Sequence, residues 1–191
     1  MSLPQVIILN GNSSSGKTSL AHALQEKLPE QYLNFSIDSV LYALPPSDLH
    51  KMQRGEVIER SGYHWPSLVR GYHYALPGLL QAGLKLIIDN AWCDIEEKRE
   101  LLTELAGYHQ ALIGVHCSLE VALAREQQRG DRAAGLAAWE HPRVHERMIY
   151  DFEVNSDDST PAQSADAIAA WLLQQPSLSG AMETLDALNL G

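Results

Sequence analysis

The sequence predicts an α/β fold, a parallel sheet with helices on both faces. Three observations carry that prediction. Short apolar runs recur along the chain, amphipathic helical patterns fall between them, and the first run passes through a glycine-bounded loop directly into a helix. Crossover helices between strands return the chain to the same end of the sheet, which makes the strands parallel.

The elements follow in order. Val6 to Leu9 is a β-branched run stopped by Asn10 and Gly11, the pattern of a fully buried strand. Leu20, Leu24 and Leu28 then share one helical face, and Pro29 ends the segment. Leu33 to Ile37 reads as a second strand ending at Asp38. Residues 45–67 are polar and rich in turn residues and aromatics, a length typical of a lid or substrate wall. Tyr72, Ala75, Leu76 and Leu79 mark a helix that Pro77 is predicted to kink. Lys85 to Ile88 gives a third strand ending at Asp89, and Ile95 to Leu105 a helix. Ala111 to Val115 gives a fourth strand, and Leu119, Ala122 and Leu123 open another helix. Residues 129–138 (RGDRAAGLAA) form a charged, glycine-containing lid segment. Phe152 to Asn155 is the fifth strand, and Pro161 opens a helix with Ile168, Trp171 and Leu172 on one face. One domain over residues 1–175 accounts for these elements, and the weakly patterned tail, 176–191, is assigned no role.

Composition narrows the function. A net charge of −10 argues against a broad nucleic-acid surface. Cys93 and Cys117 lack a CxxC partner, which fits a reduced, cytoplasmic setting. The N-terminus has no basic region or apolar stretch of a signal peptide, and no segment has the length to span a membrane.

Gly11-Asn12-Ser13-Ser14-Ser15-Gly16-Lys17-Thr18 matches G-x-x-x-x-G-K-[ST] between a strand and a helix. Glycines let the backbone approach phosphate oxygens, and loop amides with the helix N-terminus stabilise the anion. Lys17 adds charge, and Thr18 offers a hydroxyl to Mg2+. The bland alternative is a serine-rich turn capping a helix. Neither NKxD nor DxxG of GTPases occurs, which leaves ATP as the donor, and LSGAM at 178–182 is a chance likeness to a transporter signature.

Ligands in open α/β sheets bind beyond the C-terminal strand ends, where Asp38 and Asp89 fall. Asp38 suits the carboxylate that accepts or orients the proton of an acceptor hydroxyl, with a helix N-cap as its alternative. Asp89 in LIIDNA suits a magnesium ligand beside Thr18, with an Asx turn as its alternative. Arg129 and Arg132, and less so Arg125, suit contacts to phosphoryl oxygens, against a solvated helix face or an RGD adhesion tripeptide. His141 and His145 share helical spacing but lack a third zinc ligand. Tyr63, His64, Trp65, Tyr72 and Tyr74 suit equally a pocket wall or core filling.

IILNGNSSSGKT, the Asp38-Ser39 pair, LIIDNA, RGDRAAG and the His145, Tyr150, Asp151, Glu153, Val154 pattern run in order through nearly the whole chain. Together they resemble the chloramphenicol phosphotransferase family of P-loop kinases. The resemblance implies a five-stranded parallel sheet and ATP-dependent phosphorylation of a primary hydroxyl. It also implies that Asp38 is the base and that an arginine of the RGDR segment, Arg132 foremost, contacts the phosphates. Arg147 stands in place of a glycine of the family pattern, Asn155 in place of an aspartate and Asn90 in place of a second acidic residue. Residues 45–80 diverge, so fold and chemistry carry over better than the acceptor.

The expectation is an Mg-ATP phosphotransferase acting on a hydroxyl of a small organic molecule, with an amphenicol among the candidates. Lys17, Asp38 and Arg132 are its catalytic residues and Gly11 to Thr18, Arg129 and Arg132 its nucleotide site. Nucleic-acid or membrane partners are not expected, and a homo-oligomer is left open. A nucleotide or sugar-nucleotide kinase of the zeta-toxin type is the enzyme alternative. A nucleotide-binding regulatory protein is the other.

Overall fold

A computed structural model describes residues 3–129 and 135–190. The strands are β1 (Val6–Asn10), β2 (Leu33–Asn34), β3 (Leu86–Asn90), β4 (Gln110–His116) and β5 (Phe152–Asn155). They form one five-stranded sheet in the order β2-β3-β1-β4-β5, with every adjacent pair parallel. The helices are α1 (Lys17–Lys27), α2 (Ile37–Leu41), α3 (Pro46–Gln53), α4 (Trp65–Gln81) and α5 (Ile95–Glu104). They continue with α6 (Leu119–Arg129), α7 (Leu136–Glu140), α8 (Pro161–Leu173) and α9 (Gly180–Asn189).

The period-2 geometry of the strands divides the core in two. Val6, Ile8, Leu86, Ile88 and Leu112 pack with α2, α4, α5 and α9 on one face. Ile7, Leu9, Ile87, Ala111 and Ile113 pack with α1 and α8 on the other. All five β1 residues are buried, as expected of a strand covered on both faces. The chain runs from β1 to one side of the sheet, returns through β3, then crosses to β4, so the switch point lies at the C-terminal end of β1.

β2 and the tail differ from the sequence reading. β2 stops at Asn34, although the Phe35 amide still donates to the Ile87 carbonyl (3.0 Å). Ser36 adopts the extended N-cap conformation and α2 starts at Ile37, burying Ile37 and Leu41 at i, i+4. Asp38 therefore sits in the first turn of α2, past the end of β2 at Asn34, and the cap is Ser36. α4 runs continuously across Pro77. The tail folds as α9, which buries Ala181, Thr184 and Leu188 against α5 and the sheet.

No helix among the described residues is long and apolar enough to cross a membrane.

Candidate active site

Asn10, the last residue of β1, is fully buried and fixes the entry to the phosphate loop. Its Nδ2 donates to the Val144 carbonyl (2.8 Å) and the Tyr150 hydroxyl (2.8 Å), and its Oδ1 accepts from the Trp92 amide (3.2 Å). At Gly11 a β-carbon would lie 2.3 Å from the Val115 carbonyl oxygen and 2.9 Å from Ser15 Oγ, so no other residue fits without moving backbone. Ser14 (φ 64°) and Gly16 (φ 88°) turn the chain through left-handed conformations, and α1 starts immediately at Lys17. Lys17 Nζ donates to the Gly11 (2.7 Å) and Asn12 (2.9 Å) carbonyls, which holds the ammonium over the first half of the loop.

Phosphate groups fit this loop on an observation independent of the motif. The Ser14 and Ser15 hydroxyls are buried without a hydrogen-bond partner. Buried polar groups are ordinarily satisfied, and two orphaned hydroxyls in this loop suit oxygen acceptors of a bound anion.

Asp89, in the penultimate position of β3, stands beside the loop. Its Oδ2 accepts from Thr18 Oγ1 (2.9 Å) and its Oδ1 from Asn34 Nδ2 (2.7 Å). The pairing of Thr18 with Asp89 is the hydroxyl and carboxylate arrangement that suits a magnesium ion. Ser36 and Asp38 approach from α2, whose start is tied down by the Tyr72 hydroxyl donating to the Phe35 carbonyl (2.9 Å). Loop, Asp38 and Asp89 all line one cavity of about 910 Å³, which extends past Trp65, Asp94 and Glu97. The cavity thus brings together Ser13 to Thr18, Asp38 and Asp89.

A profile of the chloramphenicol phosphotransferase-like protein family matches residues 4–173. The chain belongs to that family. It is 33% identical over 168 residues to a Mycobacterium tuberculosis protein named "Putative O-phosphotransferase", covering 80% of this chain and 75% of the relative. It is 25% identical over 173 residues to a guanylate kinase of Idiomarina loihiensis, covering 82% and 80%. Among solved structures, a sugar kinase from Janibacter sp. HTCC2649 matches with a TM-score of 0.65 at 20% identity, over 87% of this chain and 93% of that one. The APS kinase of M. tuberculosis matches with a TM-score of 0.65 at 14% identity, over 91% and 99%. The fold is that of P-loop kinases, and the protein is an enzyme of the O-phosphotransferase class.

The remaining site candidates of this family member divide. Arg125 ties the loop to the neighbouring strand end, donating to the Ser14 carbonyl (3.4 Å), Ser156 Oγ (3.0 Å) and the Ser156 carbonyl (2.8 Å). Arg129 is the last residue of α6, and Arg132 lies outside the described residues. His145 accepts or donates at Nδ1 to the Tyr150 hydroxyl (2.6 Å) and stacks on His116 at 4.2 Å. Asp151 accepts from the Ser179 and Gly180 amides at the start of α9 (both 2.8 Å) and from the Leu112 amide (2.8 Å). The family-specific His145 to Val154 stretch therefore positions β1, β4 and α9; of its pattern residues only Val154 is among the cavity-lining residues, and His145, Tyr150, Asp151 and Glu153 are not. The aromatic cluster also divides: Tyr72 is core, packed on Phe35 at 5.7 Å, whereas Trp65 lines the cavity and Tyr74 faces solvent.

Glu97, Glu140 and Asn34 take positions at or behind the site that the sequence did not indicate. Glu97 lines the cavity, and burial with the neighbouring Asp94 and Glu100 charges pushes its carboxyl up to about 7. Glu140 Oε2 accepts from the Ser13 amide of the loop (2.5 Å). None of the three belongs to a motif spacing: the fold brings Glu97 and Glu140 to the cavity, and Asn34 acts behind it by donating to Asp89 Oδ1.

Proposed function

We propose that this protein transfers the terminal phosphate of ATP to a hydroxyl of a small, unphosphorylated organic molecule. The observation that carries the reading is the single cavity shared by the phosphate loop, Asp38 and Asp89. Loop amides other than that of Ser13, the Ser14 and Ser15 hydroxyls and Lys17 hold the donor phosphates. Thr18 and Asp89 hold magnesium, which when bound screens the charge of the phosphate oxygens. Asp38 orients the acceptor hydroxyl and takes its proton as the oxygen attacks. Arg129 and Arg132 supply positive charge to the transferred group.

Two features support an unphosphorylated acceptor over the nucleotide that the guanylate kinase relationship suggests. Beyond the loop the cavity wall presents the carboxylates of Asp38 and Asp94, which would oppose an anionic acceptor. Of the basic residues in the divergent wall, Arg54 pairs with Glu56, Arg60 with Asp48 and Arg70 with Glu100, and none of these arginines lines the cavity. Coupled ATP turnover across a panel of alcohols, sugars, amphenicols and nucleoside monophosphates tests the reading. It expects stimulation by at least one neutral or cationic hydroxyl compound. Stimulation by nucleoside monophosphates alone would reverse it.

A further inference from the structure

We propose that Glu140 is a positioning residue for the donor loop, whose carboxylate fixes the Ser13 peptide at the end that takes the terminal phosphates. The inference rests on the nucleotide-binding reading above. Glu140 is the last residue of α7, is 7% exposed, and both lines the cavity and accepts from the Ser13 amide. Lys17 Nζ lies over the Gly11 and Asn12 carbonyls. That lysine reaches the β/γ-phosphates in loops of this type, so the adjoining Ser13 peptide stands at the reacting end of the donor.

The next residue explains why the loop needs an external anchor. Ser14 is held at φ 64°, a left-handed conformation unfavourable for a residue with a β-carbon. Glu140 holds the amide of the residue before it, and Arg125 reaches the Ser14 carbonyl after it. The two side chains bracket the strained residue. A carboxylate acceptor makes a stronger bond to an amide than a neutral group does, which suits this position.

The anchor is itself mounted rigidly. Glu126 on α6 accepts from the Gly135 and Ala137 amides (both 2.9 Å), so a buried carboxylate grips the start of α7 while Glu140 grips the loop from its end. α7 thereby acts as a short brace between α6 and the phosphate loop.

Calorimetric titration of the full chain with a non-hydrolysable ATP analogue tests this, with thermal unfolding run alongside. Loss of a buried charge-assisted bond in Glu140→Ala is expected to weaken analogue binding by about tenfold or more. Glu140→Gln retains an oxygen that accepts the same amide and is expected to stay within about threefold of wild type. In turnover, the alanine variant is expected to raise the KM for ATP and lower kcat while leaving the acceptor KM unchanged. Wild-type affinity in Glu140→Ala, or equal damage in the glutamine and alanine variants, would overturn the role. Should the alanine variant fail to fold, Glu140→Asp withdraws the carboxylate by one methylene, and wild-type analogue affinity there would overturn it equally. A wild-type protein that binds no analogue would instead refute the nucleotide-binding reading and this inference with it. Analogue binding in wild type with no change in the variants refutes this inference alone.

Discussion

Asp89→Asn separates the proposed metal role from the structural one. The carboxylate accepts two hydrogen bonds, from Thr18 Oγ1 at 2.9 Å and Asn34 Nδ2 at 2.7 Å, and is 4% exposed. An asparagine offers one oxygen and one NH2. The Thr18 hydroxyl can reverse its role and accept, leaving the asparagine oxygen for Asn34, so both contacts survive in altered polarity. What is lost is the charge assistance of two bonds, and the expected stability cost is about 1–2 kcal/mol. Metal binding has no such compensation, because an amide is a much poorer magnesium ligand than a carboxylate. The expected result is an increase of about 10–100-fold in the Mg2+ concentration needed for half-maximal turnover, by analogy with the loss of other metal-site groups. Urea unfolding gives the first quantity and turnover against Mg2+ gives the second. Unchanged Mg2+ dependence would refute the metal role, and a stability loss beyond about 3 kcal/mol would refute the re-pairing argument.

Further outcomes follow from individual contacts. Gly11→Ala drives a β-carbon to 2.3 Å from the Val115 carbonyl. It is expected to cost about 1–3 kcal/mol in denaturant unfolding and to abolish ATP-analogue binding, since the loop must move off the strand. Arg147 holds φ at 58°, and Arg147→Gly is expected to stabilise by about 1 kcal/mol in the same assay; destabilisation would mean that the side chain contributes more than the strain it imposes. Glu97, pushed from 4.5 to about 7, binds its proton more tightly in the folded state than in the unfolded one. Its contribution therefore favours folding most below pH 4.5 and is lost as pH rises through about 7. Glu97→Gln should remove that part of the pH dependence and be more stable than wild type above pH 7, which thermal midpoints across pH would show.

The sheet was largely legible because its strands are covered on both faces, and continuous apolar runs such as VIILN and LIIDN have no other stable placement. β2 was overextended for a local reason. Phe35 continues the apolar pattern and still bonds to β3, while Ser36 turns the chain, and a strand that ends by becoming a helix offers no glycine or proline to mark the change. Helix α9 was missed although Ala181, Thr184 and Leu188 keep a helical spacing. Its start is held by Asp151, from a distant part of the chain, and not by a side chain of its own N-cap. The site divides on the same principle. The loop and Asp89 follow directly from strand ends and Asp38 from the first turn of α2, whereas Glu97 and Glu140 reach the cavity only through the packing of α5 and α7. Arg125, which the sequence offered as a phosphate contact, lines the cavity and also tethers Ser156 to the loop.

The most direct test measures transfer of labelled terminal phosphate from ATP to an acceptor that stimulates turnover, in wild type and in Asp38→Asn, with analogue affinity measured in parallel. Wild type is expected to give a phosphorylated hydroxyl product. Asp38→Asn is expected to reduce transfer by about 10²–10⁴-fold at unchanged analogue affinity. Full transfer by Asp38→Asn, or tight analogue binding by wild type with no acceptor phosphorylated, would contradict the proposed mechanism.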